Sequence, residues 1–108
     1  MPKKNLSADI SKKADFTIQE IGIILRKIRG DNGFTREVAS DMSGINPSTI
    51  WVAEEARAKN GTRKMAEPRI STVIKLCAMY KIEFSELIIR AESNYKEKHG
   101  KRDSEGDS

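Results

Sequence analysis

The sequence predicts an all-α fold of five helices, and three observations predict it. Apolar residues recur at helical spacing in separate segments, as with Ile70, Val73, Ile74 and Cys77 at i, i+3, i+4 and i+7. Capping residues stand where such segments begin: Thr17 with Glu20 three positions on, Thr35, and Asn46 followed by Pro47. Between them lie turns that glycine makes easy, Gly30-Asp31-Asn32-Gly33 and Ser43-Gly44.

Residues 1–15 are polar and carry Lys3, Lys4, Lys12 and Lys13 against Asp9 and Asp15, the composition of a flexible arm. Such an arm is either solvated or in contact with phosphate. The first helix is expected from the Thr17–Glu20 capping box, with Phe16 and Ile21 as its hydrophobic staple. Ile18, Ile21, Ile24, Leu25 and Ile28 form its apolar face, while Arg26, Lys27 and Arg29 lie elsewhere. Gly22 lowers helix propensity and marks a close helix contact, and Gly33 ends the helix.

The second helix follows the Thr35 cap, with Val38, Ala39 and Met42 as a small apolar face. The third, about residues 47–56, opens with Asn46 as N-cap and Pro47 at its first position. Ile50 and Ala53 face inward, which turns Pro47, Ser48, Trp51, Val52 and Glu55 outward. A basic loop, about residues 57–67, comes next: from Arg57 to Arg69 five cations oppose the single acid Glu67, a local balance of +4, equal to that of the whole chain. After Pro68 the fourth helix carries the Ile70, Val73, Ile74 and Cys77 face, and after Ile82-Glu83 a fifth presents Phe84, Leu87 and Ile88. Ile89 points away from that face, toward solvent or a partner subunit. Residues 92–108 are charged, contain glycine and are expected as a disordered tail, leaving 16–91 as the folded domain.

With these residues in place, residues 17–88 resemble the helix-turn-helix domain of the Cro/cI phage repressor family, also called the xenobiotic-response-element type. Phe34-Thr35-Arg36 opens the family's pattern, Gly44-Ile45-Asn46 forms its turn, and Ile50 and Glu54 close it. Pro68, Ile70, Thr72, Val73, Leu76 and Ala78, then Tyr80-Lys81-Ile82 and Ser85-Glu86-Leu87, track its ending. The departures are Ala39-Ser40 for a Leu-Ala pair, Arg36 for glutamine, Trp51 for a residue often serine, and a longer link from Glu54 to Arg69.

The resemblance implies a lambda-repressor-like DNA-binding domain and a sequence-specific regulator of transcription, a repressor acting as a homodimer on a two-fold symmetric operator. It places Ser48, Thr49, Trp51 and Val52 at or near base edges, and Asn46 and Arg36 on phosphate. The loop cations Arg57, Lys59, Arg63 and Lys64, next to that helix, fit phosphate contact, although charge runs are commonly solvated surface. The Ser48 hydroxyl suits several bases, and Trp51 and Val52 offer apolar surface to a thymine methyl, so a relatively apolar, T-rich readout is expected. Trp51 has an alternative place at the edge of the core or over the basic loop. The alternative function is an antitoxin or co-regulator that binds a partner protein through its terminal segments.

Composition narrows the remaining classes. The 108 residues suit one domain with a small core, which dimerisation would reinforce. A net charge of +4 and a pI near 9.3 permit nucleic acid without requiring it. Neither a membrane span nor a secretory leader is apparent, so a cytoplasmic protein is expected. Cys77 is the single cysteine, which excludes an internal disulfide and a cysteine-based zinc site, and it reads as core. His99, also single, has no partner for a triad or metal cluster. Glu54 and Glu55 are adjacent in a helix and point apart, so they cannot act as an acid and base pair. The expectation is a protein with no catalytic residues, no cofactor and no metal.

Overall fold

The computed structural model describes residues 6–55 and 67–107, with side chains through Lys98. Among the described residues the chain forms five helices and no strand: α1 (Leu6–Asp31), α2 (Arg36–Ser43), α3 (Pro47–Glu55), α4 (Ile70–Tyr80) and α5 (Phe84–Asp107). None of them is long and apolar enough to cross a membrane.

The chain's turns follow its local chemistry. At the end of α1, Gly33 takes φ 73°, its N–H donates to Gly30 O at 2.9 Å, and Phe34 N donates to Arg29 O at 3.1 Å. This Schellman pair satisfies carbonyls that the helix end would leave open. Thr35 caps α2 by accepting from Val38 N, and Gly44, at φ 76°, closes it by donating to Ser40 O. α4 ends in a second Schellman pair, Lys81 N to Ala78 O and Ile82 N to Cys77 O, although the left-handed residue is Lys81, at φ 60°.

Leu25, Ile50, Leu76 and Leu87 are the largest apolar side chains fully buried, one each from α1, α3, α4 and α5; Ala39 is α2's contribution. Where α1 crosses α3 there is no room for a side chain. A Cβ on Gly22 would stand 2.6 Å from Glu54 O and 2.7 Å from Ala53 O, so the two backbones meet directly, as the glycine predicted.

Two faces are rotated from expectation. In α2 only Ala39 is buried, while Val38 and Met42 are exposed. In α4 the buried set is Thr72, Val73, Leu76 and Cys77, which leaves Ile70 and Ile74 exposed. Apolar residues occupy much of the α4 circumference, so spacing fixes the helix without fixing its rotation. Cys77 is buried as expected, which pushes its thiol pKa up.

Both terminal segments are more helical than their composition suggests. Residues 6–15, expected in a flexible arm, belong to α1, and residues 92–107, expected in a disordered tail, continue α5. Thr17 therefore starts nothing: it lies inside α1 with its hydroxyl donating to Lys13 O at 2.9 Å. Glu20, rather than reaching back to a helix start, is buried and accepts from Asn94 Nδ2 at 3.0 Å and Lys98 Nζ at 2.8 Å on α5. Phe16 packs edge-on against Tyr95 at 5.4 Å, with Lys98 over the Phe16 ring and Lys13 over the Tyr95 ring. Residue 16 meets 95 while 24 and 28 share a groove with 89 and 90, so α1 and α5 run antiparallel. Between Lys13 and Lys98 these contacts give α1 and α5 a packing that the polar composition does not announce.

Candidate nucleic-acid interface

α3 is built with two unlike sides. Ile50, Ala53 and Glu54 are buried at i, i+3 and i+4, and Pro47, Ser48 and Trp51 are exposed on the other side. Asn46 begins the helix as its composition predicts. Its Oδ1 accepts from Ser48 N at 2.9 Å and from Ser48 Oγ at 2.8 Å, and Pro47 occupies the first position, where no N–H is missed.

Trp51 is 50% exposed and is not among the buried core residues; the basic loop, its other expected place, lies outside the described residues. With Pro47 and Ser48, Trp51 forms one wall of a concavity of about 450 Å³. Thr35, Arg36 and Glu37, from the start of α2, form the other wall, and Arg29 reaches in from α1. Thus Ser48 and Trp51 come together at this opening, whereas Thr49 and Val52 are half-buried beside it and do not line it. Arg57, Lys59, Arg63 and Lys64 lie outside the described residues, as does the expected end of the helix at residue 56.

Beneath the opening is an ionic chain that ties three helices together. Glu54, only 1% exposed, accepts a forked pair of bonds from Arg29, Nε to Oε2 at 2.7 Å and Nη2 to Oε1 at 3.0 Å. The third Arg29 donor, Nη1, reaches Phe34 O at 2.9 Å. Arg36 Nε adds a bond to Glu54 Oε1 at 3.2 Å, and Arg36 Nη2 stands 3.5 Å from Glu55, which also pairs with Arg26 at 3.2 Å. Glu54 and Glu55 diverge as expected, yet Arg36 bridges them. Arg36 is thus engaged with two carboxylates and 30% exposed at its side chain. Bidentate, charge-assisted bonds of this kind offset much of the desolvation of a buried carboxylate. Hydrogen bonding to Glu54 raises the already high pKa of Arg29, so that guanidinium stays charged.

Tyr80, on α4, lies within the field of Glu54 and Arg29. Its ring stacks on Phe34 at 6.4 Å, and its hydroxyl is buried with no hydrogen-bond partner among the described residues. Burial, and then the negative charge of Glu54, push the Tyr80 pKa up to about 12.

Sequence reasoning placed Glu54 in the helix-turn-helix pattern and missed what it holds. The signal was available: Glu54 falls one turn after Ile50, on the face already identified as inward, and a carboxylate there requires a cation. Compared with known proteins, the chain matches no family model, no curated protein and no solved structure.

Proposed function

We propose that this chain is a sequence-specific double-stranded DNA-binding regulator with a lambda-repressor-like helix-turn-helix, acting as a repressor and a homodimer on a two-fold symmetric site. The observation that carries the reading is the arrangement of α2 and α3. Two short capped helices joined by a left-handed glycine turn leave the start of α3 exposed, with Ser48 and Trp51 outward, over the Arg29–Glu54 ion pair. A helix offered by its N-terminal end, short polar group first, suits the width and donor-acceptor pattern of the major groove.

In this reading α3 enters the groove and Ser48 and Trp51 meet base edges, with Asn46 and the cations of residues 57–64 along the backbone. Arg36 serves chiefly to hold α3 against α2, because two carboxylates already engage it. Dimerisation is supported by Ile89, 61% exposed beside a groove between α1 and α5 that Ile24 and Ile28 also line.

Selection from random duplexes, repeated at several salt concentrations, tests the proposal. The expected product is a half-site repeated with two-fold symmetry, bound more weakly as salt rises. Binding without sequence preference at any salt would refute it.

A further inference from the structure

The Ser48 hydroxyl has a fixed polarity. A backbone N–H can only donate, so the Asn46 atom 2.9 Å from Ser48 N is the carbonyl oxygen Oδ1. That same oxygen lies 2.8 Å from Ser48 Oγ, and it can only accept. The hydroxyl proton therefore points back into the cap. What Ser48 turns outward is lone pairs alone.

A serine on a reading helix is ordinarily ambiguous, because it rotates to donate or to accept as the base demands. Here rotation would break the bond to Asn46. In the major groove the groups that can donate to a lone pair are adenine N6 and cytosine N4, whereas guanine O6 and N7 and thymine O4 would face it with lone pairs of their own. One turn on, Trp51 is half exposed and lines the same opening. Residues at i and i+3 stand about 5 to 6 Å apart at their Cβ atoms, a distance of one to two base-pair rises of roughly 3.4 Å.

We infer that Ser48 reads an exocyclic amino group as an obligate acceptor while the Trp51 ring packs on the 5-methyl of a neighbouring pyrimidine. The inference rests on the DNA-reading function proposed above and specifies its ligand. The shared chemistry is an amino donor and a pyrimidine methyl side by side in the major groove. Two adjacent base pairs supply them, adenine or cytosine giving the amino group and thymine or 5-methylcytosine the methyl.

The test uses the full chain and the duplex obtained by selection, with affinity measured by fluorescence anisotropy at fixed salt. Each adenine is replaced in turn by 2-aminopurine, which keeps pairing, and each cytosine by 2-pyrimidinone; both changes remove the major-groove amino group. Each thymine is replaced by uracil, and each cytosine by 5-methylcytosine. One amino deletion should weaken the wild type about fivefold and leave Ser48→Ala unaffected. One methyl change should alter wild-type affinity about fourfold and leave Trp51→Ala unaffected. A loss with uracil identifies thymine as the methyl's source, and a gain on cytosine methylation identifies 5-methylcytosine. Ser48→Ala keeps the Asn46 bond to the backbone N–H of residue 48, so its thermal melt should match the wild type's. Sequence-selective binding in which wild type and Ser48→Ala respond alike at every replaced base would overturn this inference and leave the DNA-reading function standing. Failure to select any site would overturn both.

Discussion

Gly22→Ala is expected to destabilise the fold, although alanine is the better helix former. In an unencumbered helix interior the change gains about 1 kcal/mol. Here the new Cβ would sit 2.6 Å from Glu54 O, and ordinary van der Waals contact begins at 3.4 Å, so α1 and α3 must separate by about 0.8 Å. Both obstructing atoms are backbone and cannot rotate aside. Overpacking of this kind costs roughly 3 kcal/mol at the upper end of its usual range, which leaves a net loss of about 2 kcal/mol. For a domain of this size that is a fall in melting temperature of about 8 to 16 °C by circular dichroism. Gly30→Ala supplies the control, since nothing lies within 4 Å of its Cβ position and the same substitution should stabilise by about 0.5 to 1 kcal/mol. A Gly22→Ala protein that melts at or above the wild type, with Gly30→Ala behaving as stated, would refute the direct backbone contact of α1 and α3.

Glu54→Gln removes the charge that two arginines share and should cost about 3 kcal/mol in urea melts; a loss below about 1 kcal/mol would mean that water compensates the cluster. Lys81→Gly relieves a left-handed residue at the end of α4 and should stabilise by about 0.5 to 1 kcal/mol, and a lower midpoint would contradict the strain assigned to that position. Tyr80 retains its proton to about 12 in the folded chain against an ordinary 10.0. The unfolded chain ionises first, so stability that is complete below pH 10 declines from 10 to 12. Tyr80→Phe should flatten that decline across urea melts stepped through the window, and an unchanged slope would assign it elsewhere. Replacing Arg57, Lys59, Arg63 and Lys64 by glutamine should reduce the slope of log affinity against log salt by about 3 to 4, whereas an unaltered slope would mean that these cations touch no phosphate.

What could be read in the sequence was what depends on a few neighbouring residues. Gly33 and Gly44 are where the chain needs positive φ, Asn46-Pro47 is where a helix must begin, and Gly22 is where two helices touch. Ile50 and Ala53 face inward because a nine-residue helix with two aliphatic anchors has one way to bury them. The errors lie where a distant partner decides. Glu20 looked like half of a capping box because Asn94 and Lys98, its actual partners, are 74 and 78 residues away. Ile70 and Ile74 looked like core because α4 offers two acceptable faces, and only its packing neighbours choose between them. The sequence likewise withheld that Arg36, which the resemblance places on phosphate, bonds to Glu54 and Glu55; that pairing shows only when α2 and α3 are set side by side. Ser48 and Trp51 could be read as an outward pair, but the polarity of the Ser48 hydroxyl depends on a bond of 2.8 Å that spacing alone does not reveal.

Charge is divided unevenly along this chain, and the division bears on how the proposed recognition would work. Residues 6–55 and 67–98 carry twelve Lys and Arg against thirteen Asp and Glu, whereas residues 56–66 carry four cations and no acid. The helical body is therefore close to neutral, and its best-placed cations, Arg29 and Arg36, are held by carboxylates. Such a body gains little from counterion release, the main sequence-independent source of affinity for DNA. The segment that follows α3 would then supply attraction, while α3 would supply discrimination through the Ser48 hydroxyl and the Trp51 ring. Separating the two tasks has a physical advantage. A reading face with few cations binds wrong sequences weakly, because phosphate attraction is the same for every sequence and only contacts with base edges differ.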